Sequence, residues 1–515
     1  MSDANSTHGQ SLRWAVLALG TACFSVLLAA HNIADGDMWA RLAVGAEVWL
    51  RGALPLRDQY AFTPTLPYYV DHEWGAGLVF YGVLRLVGPG GLMALKILLA
   101  LGALFAALGA ARRLGTNWNA LLVLAIPAAA CLVPGYGPVI RSHAFTYCFF
   151  AVTLLCLEHI RAGKNLAVLP LTVVMVIWTN VHGGCVAGLG TIGVYTAFAR
   201  VQRKQIKPML LASVLGFVAT LANPHGIKFW AVLLPGVLHP RTRITEWQPL
   251  PLFANDPFLA FRILFVVVIV ILALGWRRTE KKSWPGLVML ALTAYLGWRS
   301  RRHAPFFAVA TLAFCAPFLE SVGAALVEKL RSKIKPAVAL LALYGLVAVY
   351  VSAQFLPRAT FVVLAPIPHD PVREMDILSL AHAEGNLATP FGWGSYCAWR
   401  VYPRVKISMD GRYEVAFPES TFAMSNDFYD KRGPNWDRLI REFTVDYVLL
   451  EYRQERLRPA DLLDKGYVLI WENPGNSALL ALEKHAAKLK QAVAELPPTT
   501  INPLDATIPE RWWPK

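Results

Sequence analysis

Charged residues are scarce in this chain of 515 residues. Aspartate, glutamate, lysine and arginine together make up 16%, whereas hydrophobic residues make up 56%. The mean hydropathy is +0.43. Soluble globular domains carry about 25% charged residues, so the composition excludes an ordinary soluble protein. We expect much of the chain to be buried in a lipid bilayer.

Other features are missing as well. Six of the seven cysteines lie in apolar segments, with Cys397 the exception, so no disulfide framework is predicted. The residues before the first apolar run lack a basic stretch, and no clear cleavage signal follows, so a retained helix is expected. The chain has no His-Glu-x-x-His pattern, which disfavours a metalloprotease. It also has no internal repeat, which disfavours a transporter.

Long apolar runs, by contrast, are abundant up to Phe355, and roughly 20 apolar residues suffice to cross a bilayer. They predict about eleven transmembrane helices. The predicted spans are 12–30, 91–111, 118–134, 144–160, 165–180, 184–200, 208–222, 257–276, 284–298, 303–320 and 336–355.

Basic residues cluster in short loops between these spans, as expected for cytoplasmic loops. This pattern, rather than nucleic-acid binding, accounts for the net charge of +15. All five clusters become cytoplasmic only if the glycine-containing segment 74–87 does not cross the membrane, so it is predicted to be an interfacial or re-entrant helix. The clusters are Arg112 and Arg113; Arg161 and Lys164; Arg200, Arg203, Lys204 and Lys207; Arg277, Arg278, Lys281 and Lys282; Lys329, Arg331, Lys333 and Lys335.

This topology places the remaining arginines of the loops on the non-cytoplasmic face. Arginines are costly to translocate, so their presence there calls for a reason. Arg141, Arg299, Arg301 and Arg302 lie at ends of predicted spans. Any one of them is explained by a side chain reaching the interface. Several on one face also suit a phosphate, because guanidinium groups bind it bidentately.

The first outer loop begins with Asp35 and Asp37, separated by one glycine. Apolar residues then recur every three or four positions from Trp39 to Leu50, which predicts an amphipathic helix lying flat with its aromatic side in the interface. Either aspartate suits a helix cap. Equally, the pair suits a general base or a divalent-cation ligand.

Other polar motifs lie on the same predicted outer face. Each of them has both a structural and a functional interpretation. His72 and Glu73 open the segment 74–87, where a cap and a binding role are both open. Asn180 and His182 end one predicted span and His225 ends another, and His303 lies beside Arg302. These residues suit helix ends or a shared polar cavity.

Charged residues, prolines and short alternating strands return after Phe355. We therefore predict two domains: a transmembrane domain over 1–355, with an outer loop at 31–90, and an extracytoplasmic soluble α/β domain over 356–515. Asp410-Gly411-Arg412 follows a predicted strand, where either a ligand site or a tight turn is expected. No nucleotide-binding glycine fingerprint follows a strand, so a sugar nucleotide is disfavoured as donor.

Together these motifs resemble the GT-C superfamily of polyprenyl-phosphate-dependent glycosyltransferases, in particular a bacterial, uncharacterised branch. The likeness covers most of the chain, but each motif is short and only the ensemble is specific. Its motifs are Asp35-Gly36-Asp37-Met38-Trp39, His72-Glu73-Trp74, Trp178-Thr179-Asn180-Val181-His182-Gly183, Asn223-Pro224-His225-Gly226, Glu246-Trp247, Gly392-Trp393-Gly394-Ser395-Tyr396 and Asp410-Gly411-Arg412-Tyr413.

The resemblance implies a polytopic α-helical GT-C-like protein of the bacterial inner membrane. Its activity would be transfer of a sugar from a polyprenyl phosphate to an acceptor hydroxyl on the extracytoplasmic face, with inversion. Asp37, or else Asp35, would be the catalytic acid. Arg299, Arg301, Arg302 and Arg141 would bind the donor phosphate, and His72, Glu73, Asn180, His182, His225 and His303 the substrates.

Other aspects of the chemistry stay open. The partners would be a lipid-linked sugar, the bilayer and an unidentified glycan, lipid or protein acceptor, and no nucleic acid. Mg²⁺ or Mn²⁺ is compatible with the acidic residues, yet no set of acids has a diagnostic spacing, so the metal ligands are unassigned. The alternatives are a non-catalytic flippase or export component for lipid-linked glycans, and a solute transporter.

Overall fold

The computed structural model describes residues 2–34, 36–137, 140–238, 245–254, 256–280, 282–330, 336–364 and 370–497. Asp35, Lys281, Arg331, Lys333 and Lys335 lie outside the described residues. The chain divides into two compact units. The first comprises Met1–Asn32, Met93–Ile227 and Val237–Phe361, and the second comprises Ile33–Leu92, Lys228–Gly236 and Val362–Lys515. The loop after the first helix thus belongs to the same unit as the C-terminal residues.

Helices account for nearly all of the regular structure up to residue 354. In chain order they are α1 (Ser2–Ala29), α2 (Gly36–Arg51), α3 (Trp74–Val87), α4 (Pro89–Arg113), α5 (Trp118–Leu132), α6 (His143–Arg161), α7 (Val168–Val181), α8 (Cys185–Gln202), α9 (Ile206–Ala219), α10 (Lys228–Leu238), α11 (Leu259–Gly275), α12 (Trp284–Arg299), α13 (Ala304–Phe314), α14 (Ala316–Leu330) and α15 (Pro336–Gln354). Each of the eleven predicted spans overlaps one or two of these helices.

Within the described residues, five helices are long and apolar enough to cross a membrane: α1 from Gln10, α4, α5 extended to Gly135, α6 and α15. The pair 301–314 and 316–325, bent by 50°, makes a sixth if it is one span. Helices α7, α9 and α11 are apolar but shorter, as is α3. A polytopic helical fold class is confirmed, whereas the predicted number of spans and the re-entrant role of α3 stay predictions.

A buried lysine joins α4 to the end of α1 in the first unit. Lys96 is fully buried, and its Nζ donates to the carbonyl of Leu28 at 3.1 Å and to that of His31. The last carbonyls of a helix lack partners within the helix and carry partial negative charge. The ammonium group therefore satisfies two acceptors where α1 ends.

The second unit contains a small mixed sheet with the strands β1 (Gly385–Ala388), β2 (Val405–Ile407), β3 (Tyr447–Glu451), β4 (Tyr467–Asn473) and β5 (Ser477–Leu482). Its strand order is β2-β1-β3-β5-β4. The first three strands are parallel, whereas β5 is antiparallel to both of its neighbours. The helices of this part are α16 (Val372–Leu380), α17 (Gly394–Val401), α18 (Glu419–Asp430), α19 (Arg438–Glu442), α20 (Ala460–Leu463) and α21 (Glu483–Glu495).

Helices α2 and α3 of this unit pack unusually closely because glycines meet between them. A Cβ on Gly45 would lie 2.0 Å from the carbonyl oxygen of Gly77, and one on Gly77 would lie 2.5 Å from that of Arg41. Such distances exclude any side chain at either position. The glycines seen in the sequence at these helices therefore serve helix packing.

The prediction that α2 presents its aromatic side to the interface is wrong for Trp39. The helix forms, but Trp39 is 2% exposed and packs on Tyr396 and Trp399, and its Nε1 donates to Asp370 at 2.9 Å. Trp49, toward the far end of the helix, is 44% exposed. Apolar periodicity identifies the buried face of a helix, but it does not show whether lipid or protein covers that face.

The outer loop is joined to the sheet by hydrogen bonds and by a buried ion cluster. Residues 60–62 exchange backbone hydrogen bonds with Ile407 of β2. Arg412 Nη2 lies 2.6 Å from Asp58 Oδ1 and 2.9 Å from Asp410 Oδ2, and all three side chains are buried. Burial alone would lower the pKa of Arg412, but the two carboxylates raise it, so the guanidinium stays charged.

Candidate functional site

One polar cluster of the first unit is organised around Glu246, in the short 3₁₀ turn Thr245–Trp247. Its carboxylate accepts from Arg302 Nη1 at 2.7 Å and from Arg141 Nη1 at 3.0 Å. Arg302 lies just before α13 and Arg141 just before α6, so the turn connects two helix starts. One carboxylate between two guanidinium groups leaves a net positive charge at the cluster.

Glu246 is expected to stabilise the fold in a pH-dependent way. Burial alone would raise the pKa of Glu246, but Arg302 and Arg141 lower it to about 2. A carboxylate with a lowered pKa contributes stability above its unfolded-state pKa, about 4.3 for glutamate, and loses it as the pH falls. The difference in Tm between the wild type and Glu246→Gln should therefore be constant above about pH 5 and shrink toward pH 2. Thermal unfolding in detergent measures this, and a difference that does not vary with pH would contradict the ion pairing.

His182 lies beside Arg302 in the same cluster, with its Nε2 3.2 Å from Arg302 Nη2. The backbone N–H of Gly184 donates to its Nδ1 at 2.9 Å, and Thr146 Oγ1, itself an acceptor from Trp178 Nε1, lies 2.7 Å from that Nδ1. The Arg302 guanidinium and the backbone N–H of Gly184 can only donate, and a neutral imidazole has one acceptor nitrogen, so these two donors compete for it. His182 therefore connects Arg302 to Thr146 and Trp178 within the cluster.

The cluster borders a cavity of about 200 Å³. The cavity is lined by Pro134, Gly135, Gly137, Arg141, His143, Tyr147, Glu246, Phe258, Arg301, Arg302 and Pro305. Arg301 Nε is buried and has no hydrogen-bond partner within the part of the chain that the structure describes. His143 is held by the carbonyl of Gly135, 3.0 Å from its Nε2. Three guanidinium groups thus line one space, and a phosphate group suits that charge.

The other sequence-predicted residues of the first unit lie at different positions. His303 packs edge-on against Trp247, with ring centroids 5.9 Å apart, next to the cavity-lining Arg302. Asn180 Nδ2 donates to the carbonyls of Val176 and Ala222, both at 2.8 Å, which is a structural contact.

His225 and Arg299, which were also predicted to bind substrate or phosphate, do not line the cavity. His225 is buried, and its backbone N–H donates to Asn223 Oδ1 at 2.8 Å. Arg299 ends α12 and does not line the cavity. The structure therefore brings together Arg141, Arg301, Arg302 and His182, but not every predicted ligand.

Thr146, Trp178 and Tyr147 were not predicted as part of this cluster. Thr146 and Trp178 support His182, and Tyr147 Oη donates to the backbone carbonyl of Arg302 at 3.0 Å. The three residues lie on the buried faces of helices α6 and α7, where apolar patterning gives no signal. Trp178 was visible as the first residue of the motif Trp178-Thr179-Asn180-Val181-His182-Gly183, whereas Thr146 and Tyr147 offered only hydroxyl groups within an apolar span.

Asp37 lies in the second unit, in the first turn of α2, and is exposed. Near it are Gly411 and Ser395: a Cβ on Gly411 would lie 3.7 Å from Asp37 Oδ1 and 3.7 Å from Ser395 Oγ. The motif that contains Asp37 is more than 350 positions from the motifs that contain Ser395 and Gly411, yet Asp37 and Ser395 both lie beside Gly411. Asp37 is not the N-cap of α2, because the helix already begins at Gly36.

His72 and Glu73 belong to a second ion cluster of the second unit. Arg41 pairs with Asp71 and lies 3.5 Å from Glu73, while His72 Nε2 lies 3.9 Å from Glu73 Oε1. Tyr69 Oη donates to Asp71 at 2.8 Å. Burial alone would lower the pKa of Arg41, but Asp71, Tyr69 and Glu73 raise it. Glu73 therefore has a structural partner in Arg41, and its predicted binding role stays a prediction.

A metal site is not evident in the described residues. They contain no group of three or more histidine, cysteine, aspartate or glutamate side chains that could hold a metal ion. Asp35 lies outside the described residues. The seven cysteines are all buried and unpaired.

Comparison with known proteins shows no matching family model and no matching curated protein sequence. Solved structures do match. An archaeal oligosaccharyltransferase, AglB from Archaeoglobus fulgidus in complex with an inhibitory peptide and a dolichol-phosphate, has a TM-score of 0.59 and 12% identity, covering 85% of this chain and 70% of that chain. The oligosaccharyltransferase of the same organism in complex with Zn and sulfate gives 0.51 and 11%, covering 90% and 73%.

A bacterial structure is also similar over most of its length. ArnT from Cupriavidus metallidurans bound to undecaprenyl phosphate has a TM-score of 0.52 and 13% identity, covering 92% of this chain and 98% of that chain. Identities this low show a common fold only. AglB and ArnT share the architecture that the acidic, histidine and glycine motifs indicated, and the chain therefore has the GT-C membrane fold.

Proposed function

We propose that this protein transfers a sugar from a polyprenyl phosphate to an acceptor hydroxyl. The observation that carries the proposal is the cavity lined by Arg141, Arg301 and Arg302 in a chain with the GT-C fold. Two of the similar proteins were solved with dolichol-phosphate or undecaprenyl phosphate bound. A lipid phosphate is an anion that three clustered guanidinium groups suit.

The arginines would act mainly on the leaving group. When the bond between sugar and phosphate breaks, negative charge develops on the phosphate oxygen, and fixed positive groups stabilise it more than they stabilise the intact donor. Arg302 and Arg141 are held in place by Glu246, so little reorganisation is needed. His182, with its Nε2 3.2 Å from Arg302 Nη2, would help to position that arginine.

Asp37 would take the proton of the acceptor hydroxyl. The hydroxyl oxygen then attacks the anomeric carbon, the electron pair of the broken bond leaves with the phosphate, and one displacement inverts the anomeric centre. The same proposal places the reaction on the extracytoplasmic face of a bacterial inner membrane, with the C-terminal domain on that face. The acceptor, the sugar and any divalent cation are left unassigned.

The decisive experiment reconstitutes the full chain in liposomes with undecaprenyl phosphate carrying radiolabelled hexoses or pentoses. Vesicles of a bacterial envelope extract, which retains lipids and glycans, serve as the acceptor source. Release of undecaprenyl phosphate should be rapid for the wild type and reduced about 10²- to 10³-fold for Arg302→Gln, as for loss of one electrostatic contact to a developing charge.

Arg278→Gln is the matched control, because Arg278 is exposed and does not line the cavity. A flippase or export protein would move the intact labelled donor across the membrane without breaking the sugar–phosphate bond. Donor movement with no released undecaprenyl phosphate would therefore overturn the proposed transferase activity.

A further inference from the structure

A small gap in the second unit lies beside Gly411, between the first turn of α2 and the first turn of α17. A Cβ on Gly411 would meet Asp37 Oδ1 and Ser395 Oγ, both at 3.7 Å, and nothing closer. Those are ordinary contact distances, so a methyl group attached to Gly411 would fit between Asp37 and Ser395. We call this space the Asp37–Ser395 gap.

Ser395 reaches the gap as an unsatisfied hydroxyl. Its side chain is 1% exposed, and its Oγ has no hydrogen-bond partner within the residues that the structure describes. Leaving a buried hydroxyl unpaired is unfavourable, so such a group in a folded protein calls for an explanation. A ligand hydroxyl in the gap would supply the missing partner.

The backbone holds Ser395 in this position. A Cβ on Gly394 would lie 2.0 Å from the carbonyl oxygen of Met409 and 2.8 Å from Cα of Asp410, so the start of α17 is seated directly on the segment after β2. On the other side, a Cβ on Gly36 would lie 3.2 Å from the carbonyl oxygen of Gly392. Gly394 and Gly36 thus permit the close approach of the segments that carry Ser395 and Asp37.

We propose that the Asp37–Ser395 gap binds the attacking hydroxyl of the acceptor, and that Ser395 is a substrate-binding residue. This inference rests on the proposed function and deepens it. Ser395 donates to the acceptor oxygen while that oxygen donates its proton to Asp37. The bond from the acceptor oxygen to the anomeric carbon forms, the bond from that carbon to the phosphate oxygen breaks, and the electron pair leaves on the phosphate. An uncharged hydroxyl is the ligand, since a phosphate would be repelled by Asp37.

Two variants test the gap in the reconstituted full chain, with the envelope-extract vesicles as the acceptor probe. Gly411→Ala places a methyl group between Asp37 and Ser395, and Ser395→Ala removes the hydroxyl. Each should raise the half-saturating amount of extract about tenfold, the effect of one hydrogen bond, with the donor KM unchanged. The Tm of Ser395→Ala should be unchanged or raised, because a buried unpaired hydroxyl is removed.

Gly392→Ala is the matched control from the same loop, because a Cβ there meets nothing within 4 Å. If the wild type transfers sugar and both gap variants keep wild-type saturation by the extract, this inference is overturned and the proposed function stands. If Ser395→Ala lowers the Tm and weakens saturation by donor and by acceptor equally, Ser395 has a structural role, and this inference is overturned as well. Wild-type turnover that does not depend on the extract overturns the acceptor assignment, and a wild type that transfers no sugar overturns both proposals.

Discussion

Replacing Asp37 by asparagine is expected to reduce sugar transfer about 10²- to 10⁴-fold, the usual contribution of a general base. Asparagine keeps the size of the side chain and can still accept a hydrogen bond, but it cannot take the proton of the acceptor hydroxyl. Asp37 is exposed in the first turn of α2, so the substitution should leave the Tm nearly unchanged. The release of undecaprenyl phosphate from the labelled donor measures the effect.

Asp35→Asn is compared in parallel, since the sequence left the two aspartates as alternatives. Asp464→Asn serves as the control, because Asp464 is an exposed aspartate next to α20 in the same unit. Transfer that is lost only in Asp35→Asn would move the catalytic role to Asp35. Wild-type transfer by both variants would remove the acidic motif from the mechanism.

Replacing Arg412 by methionine is expected to have the largest effect on stability, about 3–5 kcal/mol lost from the free energy of unfolding. The side chains of Asp58 and Asp410 are 1% and 2% exposed, and Arg412 lies within 3 Å of both. Removing the cation leaves two buried carboxylates facing each other without a counter-charge. Arg412 also packs over the rings of Tyr60 and Tyr69, with its Cζ 4.7 and 5.5 Å from their centroids.

Denaturant unfolding of the full chain, followed by tryptophan fluorescence, measures this loss. Arg438→Met is the control, because the Arg438–Glu442 pair is exposed and such pairs contribute little. A triple variant, with Asp58→Asn and Asp410→Asn added to Arg412→Met, should regain much of the lost stability because no buried charge remains. A loss for Arg412→Met no larger than for Arg438→Met would contradict the importance of the buried cluster.

The close contact of Gly45 with Gly77 shows why local patterns stop short of the tertiary structure. The sequence predicts both helices, and the predicted bounds 74–87 of the second match α3. It does not predict that the two helices touch through their glycines, because that depends on the path of the loop between them. The same limit explains Trp39: its periodic position predicts a buried face, but the face is covered by Tyr396 and Trp399, more than 350 residues away.

The arginines that line the cavity show the same limit of sequence-based prediction for the candidate site. Arg141, Arg301 and Arg302 were predicted to share a phosphate, because arginines in predicted outer loops are unusual. Glu246, the partner of Arg141 and Arg302, was visible only as part of a short motif, since it is 105 residues from Arg141. For Ser395 the sequence offered the motif Gly392-Trp393-Gly394-Ser395-Tyr396 but no role, because an unpaired hydroxyl can be recognised only once its surroundings are known.

The sequence by itself determined a helical membrane protein with a C-terminal α/β part, the helices near the predicted spans and the candidate acids and arginines. These follow from apolar length, periodicity and charge placement, which are properties of neighbouring residues. Only the tertiary structure decided that Arg141 and Arg302 share Glu246, that Arg412 is enclosed by Asp58 and Asp410, and that Asp37 and Ser395 both lie beside Gly411. Such pairings join segments tens to hundreds of residues apart, and the chain path that brings them together is set by packing of the whole unit rather than by any local pattern.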